Sequence, residues 1–467
     1  MKARVLVNLA VAALVSAGCL GIVGAIGAVP GANAGGLSQD PGATVQMLLG
    51  VEQAYAADAN LASAQVDEAA DATAQVSTQA GATSKPAKPA KKQLKAFKKA
   101  SADFALELFG RCVNAKGKSA NVTISPMSVM NALAVTANGA DGKTAKQMRE
   151  VLGDGASMAR INKNLSWYNS KLVNTKKARI SSANSIWYHN DGSLTMKEAF
   201  LKVSKKYYNA EVNAADFADA GTVNAINSWV AKNTNNMIKR IVDNLEPDDR
   251  IAIVNALYFD AEWLVPYEKD QVKTKKFTTA TGQKRKVKMM YSTEHKYIEG
   301  KNVTGFIKPY YKGYSYVALL PTKGMSLKKF IATLDGDTFR KLVNRAKTEV
   351  VHAALPKYSL TYDNERMEQQ LAAMGIKSAF LPNANFKKMG ADKFGNLYIG
   401  SVIHKTKIEL DEQGTKAAAV TGIMAKASSA YIGEIKTVTL DRPFVYAIVD
   451  NATKLPVFIG AVNTLGK

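Results

Sequence analysis

The chain has 467 residues, with 62 Lys+Arg against 39 Asp+Glu, a formal net charge of +23 and 47% apolar residues. That apolar share is enough for a packed core and excludes a globally disordered chain. Two Cys and four His leave no zinc-finger, iron–sulfur or His-rich metal site, and no C-x-x-C, G-x-G-x-x-G, G-x-x-x-x-G-K or G-x-S-x-G pattern marks a cofactor, phosphate or nucleophile site. No cofactor and no enzymatic chemistry are expected.

Residues 1–34 read as an export signal: Lys2 and Arg4 precede an apolar run from Val5 to Val29, and Ala32-Asn33-Ala34 is a small-x-small cleavage site. Ala54-Tyr55-Ala56 is a second candidate. The run is also long enough for an uncleaved anchor, and Cys19 admits lipidation, so secretion and retention at the cell surface both stay open. Residues 35–94 read as a linker: low-complexity and acidic to 84, then lysine-rich. The leader holds +2 and residues 35–84 hold −6, so residues 85–467 hold +23 − 2 + 6 = +27. A body that basic attracts polyanions or an anionic cell surface. No aromatic platforms are interleaved with the lysines, so no specific nucleic-acid partner is expected.

Residues 95–467 read as one mixed domain. Ser101 is placed as the cap of a helix that turns Ala105, Leu108, Phe109 and Cys112 inward. Cys112 is then a buried structural thiol. Ser125-Pro126 opens the next helix, with Pro in its first turn and Met127, Met130, Leu133 and Ala134 along one side. Ile226, Trp229, Val230, Met237 and Ile241 form a further amphipathic stripe. Ile251–Phe259 reads as a strand buried on both faces, with Asn255 inside it. Tyr314–Leu320 and Val351–Leu355 read as strands, and Phe444–Val449 with Leu455–Val462 as a hairpin. Helices early and strands late argue an α+β fold.

Gly400–Asp411 alternates as a strand, with Val402, His404, Thr406, Ile408 and Leu410 on one face. His404 therefore lies on a mostly apolar face, where an imidazole needs a hydrogen-bond partner. Glu412-Gln413-Gly414 follows. Then Thr415, Ala417, Ala419 and Thr421 alternate on one side, nearly all small, and suit a narrow slot. A segment that can become a strand, with little to hold it as one, reads as a switch.

At this point the sequence resembles the serpins, over the whole body from about Leu94. Asn121-Val-Thr-Ile-Ser-Pro-Met-Ser128 is similar to the family's N-x-x-x-S-P-x-S. Val254-Asn255-Ala256-Leu257-Tyr258-Phe259, with Trp263 and Pro266-Tyr267, resembles V-N-A-x-Y-F…W…P-F. Leu355-Pro356-Lys357-Tyr358 resembles L-P-K-F. Val402-Ile403-His404-Lys405 followed by Glu412-Gln413-Gly414-Thr415 is similar to V-x-H-K…E-x-G-T. Arg442-Pro443-Phe444 and Phe458-Ile459-Gly460 fit the R-P-F and F-x-G tail.

The resemblance implies three β-sheets, about nine helices and an exposed reactive-centre loop. It implies a monomeric inhibitor of serine proteases: the protease cuts the loop, forms an acyl-enzyme, and is distorted when the loop inserts as a new strand of the central sheet. It makes Glu412, Gly414, Thr415, Ala417, Ala418, Ala419 and Thr421 the hinge. Ser125, Ser128, Asn255 and His404 become a shutter beneath the sheet, with His404 bonded to Asn255. Trp263 lies where the loop first inserts. Lys416 stands where the family often has Glu, and faces outward in the inserted strand. Counting seventeen residues from the hinge acid, as the family does, places the cut between Ser428 and Ser429. Shorter loops would place it after Ala427 or Lys426. A small residue there fits elastase-like or subtilisin-like proteases, Lys426 trypsin-like ones. The alternative function is a non-inhibitory binding module that holds polyanions or a cell surface.

Overall fold

The computed structural model describes residues 86–117, 119–245, 249–364, 367–400, 402, 404–415 and 434–466. The export signal, Cys19, the acidic linker, hinge residues Ala417, Ala418, Ala419 and Thr421, and the Ser428–Ser429 bond with its alternatives lie outside the described residues.

Helix α1 (Lys91–Lys116) starts inside the segment assigned to the linker, and Ser101 does not cap it. Lys and Ala upstream are good helix formers, so the helix runs through Ser101, whose buried hydroxyl faces Met130 Sδ at 3.7 Å. Cys112 is fully buried on this helix, and burial pushes its thiol up to about 11. After β1 (Val122–Ile124), Ser125 is extended and Pro126 opens α2 (Pro126–Ala137), with Met127, Met130, Leu133 and Ala134 buried as expected. Next come α3 (Gly142–Gly153), α4 (Met158–Asn169), β2 (Ala178–His189), β3 (Leu194–Met196), α5 (Glu198–Tyr208) and β4 (Glu211–Ala215).

Helix α6 (Ala220–Asn233) ends before Met237 and Ile241, so the expected stripe is not one helix. Asn235 and Asn236 take left-handed φ values of 49° and 60°, which short polar side chains tolerate best. Thr234 Oγ1 bonds the Val230 carbonyl at 2.8 Å and accepts from the Ile238 N–H at 3.1 Å, turning the chain.

Strand β5 (Ile251–Glu262) is longer than expected and is not buried on both faces. Val254, Ala256 and Tyr258 are buried, whereas Ile251, Ile253, Asn255 and Leu257 are only partly so. Val254 and Ala256 pack in one apolar cluster with Ile226 and Val230 of α6. Ile251, Ile253 and Asn255 border a cavity, which Val254 also lines.

The later chain supplies β6 (Val272–Thr278), β7 (Lys284–Glu294), β8 (Tyr297–Gly300), β9 (Val303–Pro309), β10 (Tyr314–Pro321), α7 (Leu327–Ile331), α8 (Gly336–Asn344), β11 (Val351–Pro356), β12 (Tyr358–Asn364), α9 (Glu368–Met374) and β13 (Gly390–Asp392). It closes with β14 (His404–Leu410), β15 (Gly414–Thr415), β16 (Lys436–Thr439), β17 (Phe444–Asp450) and β18 (Pro456–Val462). The last two form the expected antiparallel hairpin. The described residues thus hold nine α-helices and an α+β architecture.

Three larger sheets and a two-stranded ribbon organise them. One six-stranded sheet has the order β1-β18-β17-β10-β9-β8, and a four-stranded sheet the order β16-β11-β7-β6. The other six-stranded sheet runs β12-β14-β15-β5-β2-β4. Its third member is described at Gly414 and Thr415 alone, where it stands between β14 and β5.

Candidate functional site: the slot between β14 and β5

Strand β14 begins at His404, not at Gly400 as expected, and Val402 lies outside it and is only partly buried. Within it His404, Thr406, Ile408 and Leu410 are buried and the residues between them half-buried, in the expected alternation. At its end the chain turns. The Asp411 carboxylate accepts from the Gln413 and Gly414 backbone N–H groups at 2.9 and 3.3 Å, and Gly414 O takes the Asp411 N–H at 2.9 Å. Gly414 and Thr415 then pair with Glu262 and Ala261 of β5, and Thr415 also pairs with Leu410 of β14. Gly414 and Thr415 therefore lie between the two strands.

Gly414 is required there by space. A Cβ would sit 2.0 Å from the Ala261 carbonyl oxygen, and φ is +156°. Thr415 is 2% exposed, and its hydroxyl shares a 2.6 Å hydrogen bond with Tyr310.

A short segment after β5 clamps the turn. The Trp263 N–H donates to Gln413 O at 2.8 Å, the Tyr267 N–H to Glu412 O at 2.9 Å, and Trp263 Nε1 to Asp411 O at 2.9 Å. Three successive carbonyls are thus held. Tyr310 stacks on Trp263 with centroids 4.3 Å apart. Lys357 Nζ donates to Glu412 at 2.7 Å, across side chains 44% and 29% exposed. Partial burial pushes the Glu412 carboxyl up, but the Lys357 ammonium and a backbone N–H hydrogen bond together outweigh it and the net shift is downward.

Beyond Thr415 no pairing joins β14 to β5 among the described residues. A cavity of about 180 Å³ lies under that part of the sheet, bordered by Ser128, Leu133, Ile253, Asn255, Val402 and His404. The N-terminus of α2 holds both strands from below. The Ser125 backbone N–H donates to His404 Nε2 at 3.1 Å. The Ser128 hydroxyl donates to Asn255 Oδ1, and Asn255 Nδ2 donates to Asn184 Oδ1 at 2.7 Å. Thr406 donates to the Thr123 carbonyl at 2.6 Å. Burial lowers the His404 imidazole to about 4, so it is neutral and accepts at Nε2.

This corrects one expectation. Ser125, Ser128, Asn255 and His404 do come together, but no hydrogen bond among the described residues joins His404 to Asn255. The strands that carry them do not pair at this level, so each is tied to α2 instead. Ser125 acts through its backbone, and its buried hydroxyl has no partner among the described residues.

The sequence patterns did not reveal Tyr310, Asn184 or the Lys357–Glu412 pair. Lys357 stood inside a recognised motif, but nothing in that motif states its partner.

A family model described as "Serpin (serine protease inhibitor)" matches residues 99–465. Neuroserpin of Homo sapiens is 28% identical over 379 residues, covering 78% of this chain and 90% of neuroserpin. An uncharacterised serpin-like protein of Thermococcus kodakarensis is 31% identical over 359 residues, covering 74% of this chain and 80% of that protein. Among solved structures, the thermophilic serpin tengpin in its native state matches with TM-score 0.77 and 42% identity, covering 83% of this chain and 98% of tengpin. The chain belongs to the serpin family, whose members are generally serine protease inhibitors.

Proposed function

We propose that this protein is an exported, bacterial-type serpin that inhibits serine proteases by acyl-enzyme trapping. It acts as a monomer, secreted or displayed at the cell surface. The protease cuts after Ser428, or after Ala427 or Lys426 in a shorter register, and elastase-like or subtilisin-like enzymes are the preferred targets. The loop then continues the strand that Gly414 and Thr415 begin. Ala417, Ala419 and Thr421 follow on the inward face, where small side chains meet the least resistance, with Ala418 facing out.

The seated hinge carries this reading: Thr415 is buried between β14 and β5, whose facing edges are otherwise unpaired among the described residues. Each backbone hydrogen bond gained on insertion contributes about 1 kcal/mol net. Roughly a dozen would supply on the order of 10 kcal/mol, so the uncut protein is held by a barrier and not by its equilibrium stability.

A second role in holding polyanions or an anionic cell surface is compatible with the first. Lys276 and Lys286 stand directly opposite each other on β6 and β7, and Lys284 and Lys288 flank them. All four are exposed. Like charges placed so are destabilising, unless an anionic partner offsets them.

The test is to mix the purified protein with elastase-like, subtilisin-like and trypsin-like proteases and run denaturing gels. A covalent 1:1 complex that survives SDS is expected. Cleavage of the loop by all three without any complex would sink the inhibitor reading and leave the binding module.

A further inference from the structure

The segment from Trp263 to Tyr267 is a staple. It follows β5 directly and holds the three residues that follow β14, so it ties together the ends of the two strands flanking the slot. Beneath it lies Lys308 of β9, 2% exposed. A lysine buried that deeply is rare and needs partners. Its Nζ donates to Glu294 Oε1 at 2.9 Å and to the Val265 carbonyl at 3.0 Å. The same ammonium lies 4.3 Å from the ring centre of Tyr267 and 5.3 Å from that of Trp263. Glu294 is itself 5% exposed and also accepts from the Ser292 hydroxyl at 2.7 Å.

Lys308 therefore touches the staple three times, at residues 263, 265 and 267. Two of these supply the backbone N–H groups that grip the hinge. We propose that Lys308, fixed by Glu294, is a positioning residue that pins the staple and thereby sets how readily the mouth of the slot opens.

Apolar side chains of equal volume could fill this space, and a buried ion pair is weak evidence for added stability. The pair differs from apolar packing in how it resists motion. An aliphatic contact loosens gradually as the staple lifts. The ammonium cannot follow the staple without leaving Glu294, nor let it go without losing the Val265 carbonyl and two ring faces. Burial pushes the Lys308 ammonium down in pKa and the Glu294 carboxylate opposes that shift.

For the loop to pass Thr415, β14 and β5 must part further, and the staple bonds them at that point. Its consequence for inhibition rests on the insertion mechanism proposed above. Its effect on the staple does not, and the experiment reads the two separately.

The variant is Lys308→Met with Glu294→Gln, which keeps volume and leaves no orphan charge. Native-state hydrogen exchange is followed at the Trp263 and Tyr267 amides, with the β17 and β18 amides as reference. Protection at 263 and 267 is expected to fall about tenfold or more, equal to about 1.4 kcal/mol, while β17 and β18 keep theirs. Unchanged protection at 263 and 267, or an equal loss at β17 and β18, overturns the proposal. Alongside, the uncut variant is held at raised temperature, and residual protease-trapping capacity is timed. Its half-life should shorten about tenfold relative to the unsubstituted protein. If the unsubstituted protein traps no protease, the inhibitor reading fails and the exchange result still decides the role of Lys308. If it traps protease and the half-life is unchanged in a variant with loosened staple amides, the staple does not control insertion, and the proposal is overturned in that part.

Discussion

On the trapping mechanism proposed above, Thr415→Arg should turn the inhibitor into a substrate. In the intact chain Thr415 is 2% exposed, paired with strands on both sides, and bonded to the buried Tyr310 hydroxyl. Removing that bond leaves a buried phenol unsatisfied, a cost of about 1–3 kcal/mol. Burying an unpaired guanidinium costs about 3–5 kcal/mol more. The arginine will escape by unseating the hinge, so part of the cost falls on the starting state. It must still be buried before the next residues can zip in. If about 3 kcal/mol of the total remains at the insertion barrier, insertion slows roughly 150-fold. Deacylation takes place at the far end of the loop and keeps its rate, so hydrolysis wins the partition. The assay is a titration of protease against inhibitor, with complex and cleaved product quantified on denaturing gels. Stoichiometry near one for the parent and Thr415→Ser, and many molecules cleaved per protease for Thr415→Arg, is the expected pattern. Unchanged stoichiometry for the arginine variant would show that Thr415 does not travel inward.

Three further outcomes follow from the same geometry. Burial holds the His404 imidazole at about 4 against an ordinary 6.5. The unfolded chain therefore binds a proton that the native state refuses, and native stability falls as pH drops from about 6.5 to 4, by about 3 kcal/mol in all. Unfolding midpoints at stepped pH should show this slope in the parent and lack it in His404→Gln; an equal slope in both would place the titration elsewhere. Gly414→Ala puts a methyl group against the Ala261 carbonyl and should unseat the hinge, costing about 1–3 kcal/mol. Its signature is faster hydrogen exchange at the Thr415 amide, and an unchanged rate would contradict it. Lys357→Ala breaks a half-exposed ion pair with Glu412, worth at most about 1 kcal/mol. A measured loss well above that would mean the pair does more than hold a surface turn.

Local patterns were legible in the sequence where they repeat. The alternation of β14, the β17–β18 hairpin and the Ser125-Pro126 helix start all appear as read. The α6 boundary is invisible to periodicity because left-handed backbone at Asn235 and Asn236 stops the helix, while hydrophobic spacing continues past it at Met237 and Ile241. Ser101 is not a cap because its helix begins upstream among lysines that carry no periodic signal. At the site, His404, Asn255, Ser125 and Ser128 were identifiable by resemblance, but their bonding was not. Which of them meet depends on how far β14 and β5 stand apart, a property of the sheet and of no single segment. The same holds for Tyr310, Lys308 and Glu294. Tyr310, just past β9, reaches Thr415 and Trp263, Lys308 of β9 reaches Trp263, and Glu294 of β7 holds Lys308; no spacing along the chain encodes those approaches.

The central claim is that a strand is withheld from the β12-β14-β15-β5-β2-β4 sheet and joins it once the loop is cut. A thermal melt before and after limited proteolysis, with mass spectrometry locating the cut near Ser428, tests it most directly. About a dozen added backbone bonds at about 1 kcal/mol each, set against an unfolding entropy of about 2.1 cal/mol/K per residue over roughly 370 residues, correspond to a rise of about 15 °C. The cleaved protein should therefore melt about 15 °C or more above the intact one, although it has lost a covalent bond. A cleaved form that melts at or below the intact one would mean that nothing inserts, and that this serpin fold works without the serpin mechanism.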